Sequence, residues 1–237
     1  TFLYTDIFDT VGTLIGVAGV NGSFVLAGLD AGSYVIYANY SGDNNYASAI
    51  DSITITVGRA VNDVLVYSSD VVYGENSNIV VFADVDGEYA VVVGGKKFIV
   101  DVVDGVGNVE IALDAGSYDI IVEYVNDNYV NNVTSVPFTV SKANVTLTVE
   151  IFDKVYTADV SGNVFASVDG EYNIVIGNYG TSVTVKNGIG SFDVGILNVG
   201  NYTASVSFKG SDNYNPADNE TAFEVTQTGT NFNIIAN

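Results

Sequence analysis

Carboxylates are the residues with the most chemistry to offer here: 28 Asp and Glu stand against 7 Lys and Arg in a chain of 237 residues. Paired carboxylates can hydrolyse glycosides, and loop carboxylates with carbonyls can hold Ca²⁺, which takes roughly six to eight oxygens. Acidic loops do recur, as Asp84-Val85-Asp86-Gly87-Glu88 and as the Gly-Asp-Asn-Asn-Tyr stretch at 42–46. Their spacing matches no known calcium cage, Ser167 replaces Asp84 in the next copy, and Asp and Asn are default turn residues. No acidic pair stands out from the general acidity, and no Trp platform exists for a sugar ring. The chain also lacks His, the commonest general base and metal ligand, and Cys, which removes disulfides and zinc–thiolate sites. The expectation is no enzyme, no catalytic residue, no metal ligand and no cofactor, with calcium as the lesser alternative.

Two further chemistries involve side-chain modification. Six Asn-x-Ser/Thr sequons, at Asn21, Asn39, Asn132, Asn144, Asn201 and Asn219, are candidate glycosylation sites. Their number is close to chance for a chain this rich in Asn, Ser and Thr. Asn39 is the most suggestive, because alternation from Tyr34 points it outward. A Lys–Asn isopeptide staple is disfavoured, since the first repeat has no Lys and Lys96, Lys97, Lys154, Lys186 and Lys209 share no repeat position. A Thr–Gln ester would have only Gln227 to use.

The elements that must position these groups come from repetition. Asp30-Ala31-Gly32-Ser33-Tyr34 returns as Asp114-Ala115-Gly116-Ser117-Tyr118 and, loosely, as Asn198-Val199-Gly200-Asn201-Tyr202, so the three tyrosines are 84 positions apart. After each copy comes an Asn-Tyr word: Asp43-Asn44-Asn45-Tyr46, Asn126-Asp127-Asn128-Tyr129 and Ser211-Asp212-Asn213-Tyr214. Val-Asp-Gly-Glu-Tyr occupies 85–89 and 168–172. Three words in one order at one period mark tandem domains, each long enough for a small β-sandwich and too long for a solenoid rung.

Within each repeat the period is two. Tyr202, Ala204, Val206 and Phe208 alternate with Thr203, Ser205 and Ser207, which marks a strand with one buried face. The middle repeat reads as seven strands, at 61–67, 78–85, 88–93, 98–103, 108–113, 117–124 and 135–140. Gly94-Gly95 and Asn187-Gly188 are good hairpin dipeptides. The predicted fold is all-β, tandem immunoglobulin-like sandwiches arranged as a rod. Tyr34, Tyr118 and Tyr202 then fall between the fifth and sixth strands, where a tyrosine corner sits. The expected domains are 1–58, lacking its first two strands, then 59–141 and 142–227, both complete, followed by a tail at 228–237. Links of about three residues leave little freedom, and three beads would reach on the order of 100 Å at ~3.3 Å per strand residue.

The tail stands where the first strand of a fourth repeat would begin. Either the chain is a window on a longer array, or the tail donates Phe232, Ile234 and Ile235 as a strand to the first repeat of another subunit. Residue 1 is Thr and Met is absent, which fits a processed or partial chain. A formal charge of −21 opposes nucleic acid and anionic lipid. No apolar run approaches the ~18 residues of a membrane helix.

The words around Leu29–Tyr34, Asn39–Tyr46 and Ile53–Val57 resemble the bacterial-type Ig-like repeats of large adhesin-like surface proteins, notably those of archaeal methanogens. The third repeat carries the pattern as Leu197–Tyr202 and Phe208–Tyr214, whereas the middle repeat, with Tyr124–Tyr129, lacks the loop Gly. The resemblance implies an Ig-like sandwich and an extracellular location as a cell-surface stalk or filament. It transfers no catalytic or ligand residue. The expected partners are a second copy end to end, or continuation of the same polypeptide, with cell-surface glycans as a further candidate. The rival expectation is an adhesion module that binds a glycan or a host protein through its end loops.

Overall fold

The computed structural model describes residues 25–131, 135–231 and 233–235. Their regular structure is entirely β. In the first repeat, β1 (Gly32–Tyr40) and β2 (Ala49–Val57) form an antiparallel hairpin. The middle repeat contains β3 (Ala60–Asn62), β4 (Val64–Tyr67), β5 (Val71–Val72), β6 (Ser77–Ala83), β7 (Gly87–Val93), β8 (Lys96–Val102), β9 (Val106–Ile111), β10 (Gly116–Glu123), β11 (Tyr129–Asn131) and β12 (Ser135–Ser141). The third contains β13 (Leu147–Glu150), β14 (Lys154–Val155), β15 (Ser161–Ala166), β16 (Gly170–Ile176), β17 (Tyr179–Val185), β18 (Ile189–Asp193), β19 (Gly200–Phe208) and β20 (Ala217–Thr226).

The middle and third repeats build the same two sheets. The middle orders are β4-β6-β9 and β5-β12-β10-β7-β8, and the third orders are β13-β15-β18 and β14-β20-β19-β16-β17. Three strands opposite a four-stranded sheet with a short parallel edge is an immunoglobulin-like sandwich. The alternation in the sequence shows why. On β16, Tyr172, Ile174 and Ile176 are buried while Glu171 and Asn173 are exposed. They meet Leu147, Val149, Val164 and Phe192 from the smaller sheet, and Ala204, Val206, Phe223 and Val225 beside them. Each such aliphatic or aromatic side chain contributes roughly 1.5–3 kcal/mol by leaving water.

The strand expected at 61–67 is two strands. β3 pairs parallel with β11, and β4 pairs antiparallel with β6. The chain changes partner at Asp63, whose carbonyl accepts from the Asp84 amide at 3.3 Å. Side-chain alternation runs unbroken through such a crossover, so periodicity alone does not reveal it. The hairpin dipeptides turn as their residue types require: Gly94 and Gly95 have φ of 57° and 75°, and Asn187 and Gly188 have 52° and 83°.

The chain separates into two compact units. One holds the described parts of 1–68, 79–109 and 119–137, and the other holds 69–78, 110–118 and the described parts of 138–237. In the first unit Tyr89 is fully buried and stacks on Tyr124 with ring centroids 4.5 Å apart. In the second, Tyr172 stacks on Phe208 at 5.1 Å and Tyr202 on Phe223 at 5.5 Å. Among the described residues, no helix is long and apolar enough to cross a membrane.

Candidate functional site: the junctions between repeats

The first recurring word makes a rigid corner. The Tyr34 hydroxyl donates to the Asp30 carbonyl at 2.8 Å, Tyr118 to Asp114 at 2.8 Å, and Tyr202 to Asn198 at 2.9 Å. Each ring folds back over the glycine two residues earlier. A Cβ on Gly116 would stand 3.4 Å from the Tyr118 hydroxyl, and one on Gly200 would stand 3.6 Å from the Tyr202 ring. The corner uses the carbonyl of its first residue and leaves two groups unused: that residue's side chain and the next residue's N–H.

The second word makes a tight loop. In the first repeat, the Asp43 carboxylate accepts from the amides of Asn45 and Tyr46, both at 2.8 Å, and the Asp43 amide donates to the Tyr46 carbonyl. The neighbouring Tyr40 hydroxyl, followed by those two amides, holds the Asp43 carboxyl below its usual range. Asp43 in turn pushes the Tyr40 phenol up. Gly42 has φ of +86°, and a Cβ there would lie 2.8 Å from the Ser48 amide, so this position needs glycine. Gly210 repeats the arrangement at φ +87°. In the middle repeat, the Asn126 side chain caps the Asn128 amide at 2.9 Å.

The linker then fixes where each loop stands. The Ala60 amide donates to the Asn128 carbonyl at 2.9 Å. The Ala143 amide donates to the Asn213 carbonyl at 3.0 Å, and the Asn215 amide returns a bond to Ala143 at 2.9 Å. Lys142 Nζ adds a bond to the Ser211 carbonyl at 2.6 Å. The residue that enters a repeat therefore grips that repeat's Asn-Tyr loop and holds it against the junction.

There the two words meet. Asn128 Oδ1 accepts from the Ala31 amide at 2.7 Å, and its Nδ2 donates to Asp30 Oδ1 at 2.7 Å. Asn213 Oδ1 accepts from the Ala115 amide at 2.8 Å, and its Nδ2 donates to Asp114 Oδ1 at 2.9 Å. One side-chain amide thus satisfies a backbone donor and a carboxylate of the preceding repeat. The chemistry explains the residue type: asparagine offers one donor and one acceptor, where Asp would face Asp with like charge. The bond to the carboxylate is charge-assisted and the stronger of the two. At the second junction, Tyr214 also meets Tyr73 edge-on, with centroids 5.3 Å apart and planes at 81°.

Among the described residues, the counterparts of the clasp in the first and third repeats meet no such partner. Asn198 and Val199 hold the places of Asp114 and Ala115 but are exposed, Val199 by 48%. Tyr156 holds the place of Tyr73 and is 42% exposed. In the first repeat, Asn45 is exposed and Tyr46 is 64% exposed, whereas Tyr214 is half-buried.

The third word, given no role by sequence alone, is a second packing device. The Tyr89 hydroxyl donates to the Val85 carbonyl at 2.5 Å and Tyr172 to Val168 at 2.7 Å, each four residues back. Burial pushes both phenols up. Its aspartate closes a distant hairpin: Asp86 accepts from the Gly105 amide at 3.0 Å, and Asp169 accepts from Asn187 and Gly188 at 3.0 and 3.1 Å. Recurrence of an Asp, a Gly and a Tyr at fixed offsets was the available signal.

The remaining candidate residues are dispersed. Asn39 and Asn201 are exposed on β1 and β19. Asn144 is exposed, and its Oδ1 accepts from Asn215 Nδ2 at 2.9 Å. Asn219 Oδ1 accepts from the Val149 amide at 3.3 Å, so that side chain braces the edge of β13. Asn21, Asn132 and Phe232 lie outside the described residues. Ile234 and Ile235 are 93% and 82% exposed. Among the described residues, no group of three or more acidic side chains is gathered as for a metal ion.

No protein-family model matches the chain, and no curated protein matches it. Among solved structures, it is similar to the fibronectin(III)-like modules of Clostridium thermocellum CbhA, at 13% identity and TM-score 0.30, over 74% of this chain and 100% of that one. It is similar to the Yersinia pseudotuberculosis adhesin InvE, at 13% identity and TM-score 0.36, over 68% and 59% of the respective chains. A third likeness is to the Bacteroides ovatus protein SGBP-B, solved with a mixed-linkage heptasaccharide, at 14% identity and TM-score 0.24, over 87% and 58%.

Proposed function

We propose that the chain is an extracellular structural repeat protein, a stalk segment of an adhesin-like surface protein or a subunit of a cell-surface filament. The observation that carries this reading is the recurrence of one junction, built from the same two words, at both places where repeats meet. A repeated junction serves to fix one repeat against the next, which is what a spacer requires. The function is then mechanical: sandwiches supply the beads, and three-residue links with an Asn clasp limit their relative motion. On this reading Tyr34, Tyr118 and Tyr202 are structural corners that hold the clasp's acceptor side, and no residue is catalytic. The tail fits the role of a first strand. Aligning Thr228 with Ala60 and Ala143 puts Phe232 and Ile234 at the places of Val64 and Val66 and of Leu147 and Val149. Exposed Asn39 and Asn201 are the sequons most open to a glycan.

Spin labels placed on either side of the second junction test the reading by their distance distribution. A narrow distribution that broadens in Asn213→Ala is expected. A broad distribution in the unaltered chain would contradict it.

A further inference from the structure

We propose that Asn187 is a modification site, prone to spontaneous loss of its side-chain amide, and that Asp169 holds it shut. Asn187 is followed by Gly188, whose missing Cβ leaves its amide nitrogen unhindered as a nucleophile. Asn187 is exposed, so water and hydroxide reach it. Hydroxide takes the Gly188 amide proton, and the nitrogen attacks Asn187 Cγ. The new N–Cγ bond forms as the Cγ–Nδ2 bond breaks, and Nδ2 leaves as ammonia with its third proton supplied by water. Water then opens the five-membered imide at either carbonyl. Breaking the N–Cγ bond gives aspartate. Breaking the bond to the main-chain carbonyl gives isoaspartate, whose chain runs on through the side chain.

Two features of the turn oppose the first step. One is conformational. Asn187 has φ of 52° and Gly188 has 83°, and paired bonds between Lys186 and Ile189, at 3.0 and 3.3 Å, bracket this two-residue loop. A residue in the left-handed region has ψ of about +47°, which puts the following nitrogen nearly opposite Cβ across the Cα–C bond. Ring closure needs that nitrogen on the Cβ side, so the turn must open first. The other feature is electrostatic. Asp169 Oδ2 accepts from the Asn187 amide at 3.0 Å, and its Oδ1 accepts from the Gly188 amide at 3.1 Å. The proton that must leave is the one Asp169 holds, and a carboxylate beside it disfavours the anion left behind. The Gly188 carbonyl is tied as well, accepting from the Ala166 amide at 3.1 Å.

The middle repeat shows which product the turn tolerates. Asp104-Gly105 holds the place of Asn187-Gly188, with Asp104 at φ of 52° and the Gly105 amide on Asp86 Oδ1 at 3.0 Å. Aspartate therefore fits. Isoaspartate does not, because an extra backbone carbon in a two-residue loop breaks the Lys186–Ile189 pairing that sets the register of β17 and β18. Guarding the amide preserves the hairpin.

Peptide mapping by mass spectrometry tests the proposal on the whole 237-residue chain held at mildly alkaline pH, with a synthetic Lys186–Gly190 peptide giving the unguarded rate. Asn187 should gain the mass of deamidation far more slowly in the chain than in the peptide. Asp169→Ser should speed the reaction in the chain about tenfold, as for two ordinary bonds lost. Asp169→Asn accepts from only one of the two amides and carries no charge, so its rate should fall between; it decides the same question if Asp169→Ser does not fold by circular dichroism. Asp86→Ser removes the matching bond from the middle repeat and should leave Asn187 unchanged. Deamidation of Asn187 in the unaltered chain at the peptide's rate overturns the proposal. So does a rate that neither Asp169 substitution changes. A rate that Asp86→Ser raises equally also overturns it, because general loosening would then control the reaction rather than the Asp169 contact.

Discussion

The hairpin of the first repeat and the last hairpin of the third share one register. Gly32 pairs with Val57, Tyr34 with Ile55 and Tyr40 with Ala49, while Gly200 pairs with Val225, Tyr202 with Phe223 and Phe208 with Ala217. Their environments differ. Ala204 and Val206 are fully buried, and Phe223 and Val225 are 4% and 1% exposed. Their counterparts Ile36, Ile55 and Val57 are half-buried, and no described residue of 25–58 is buried. Strand pairing is therefore set by the hairpin's own sequence, through the corner tyrosine and the loop glycine. Burial is set by the opposing sheet, which in the third repeat brings Leu147, Val149, Val164 and Phe192.

The comparison predicts unequal costs for equal changes. Phe223→Ala should cost about 3–5 kcal/mol by opening a cavity in a closed core. Ile55→Ala, at the matching place in the first repeat, should cost less than half as much, because its site is already partly wet. Denaturant titrations followed by circular dichroism measure both, and similar losses would break the comparison. Next in size is Tyr172→Phe, which leaves the Val168 carbonyl without its donor in a buried setting and should cost about 1–3 kcal/mol. Tyr34→Phe removes the same kind of bond at an exposed corner and should cost about 1 kcal/mol or less. The thermal midpoint of each variant orders the pair.

The smallest effect concerns acid. The folded Asp43 carboxyl titrates below its ordinary value, so its support of the 42–46 loop is complete above the ordinary carboxylate range. That support disappears as pH falls through the depressed value. Carboxyl NMR titration should find Asp43 low. Asp43→Asn should remove the acid sensitivity and bring the Tyr40 phenol back toward its usual value, since Asp43 is the first cause of that rise. An Asp43 that titrates as a free carboxylate would contradict this.

Much of the sandwich was legible in the sequence because burial and alternation share the period of two. The strands through Tyr202–Phe208 and at 117–124 follow directly from it. The break at Asp63 was not legible, because a change of hydrogen-bonding partner leaves side-chain facing unchanged. The junction was half legible. Recurrence singled out Asp30, Asp114, Asn128 and Asn213 as members of words, and turn propensity accounted for each of them locally. Their bonds to each other span 98 and 99 residues, and no local propensity encodes a contact at that separation. The offset itself held the clue: an Asp in one copy and an Asn in the next, a little more than one period apart.

The recurring words clasp adjacent repeats. Amide hydrogen exchange at Ala115 and Val199 in dilute solution measures the clasp, because the two hold the same place in their repeats and, among the described residues, only the Ala115 amide meets an Asn side chain. The account predicts that the Ala115 amide is protected, that Asn213→Ala releases it while the neighbouring strand β10 stays protected, and that the Val199 amide exchanges freely. An Ala115 amide that exchanges as fast as Val199, or one that ignores Asn213→Ala, would contradict it.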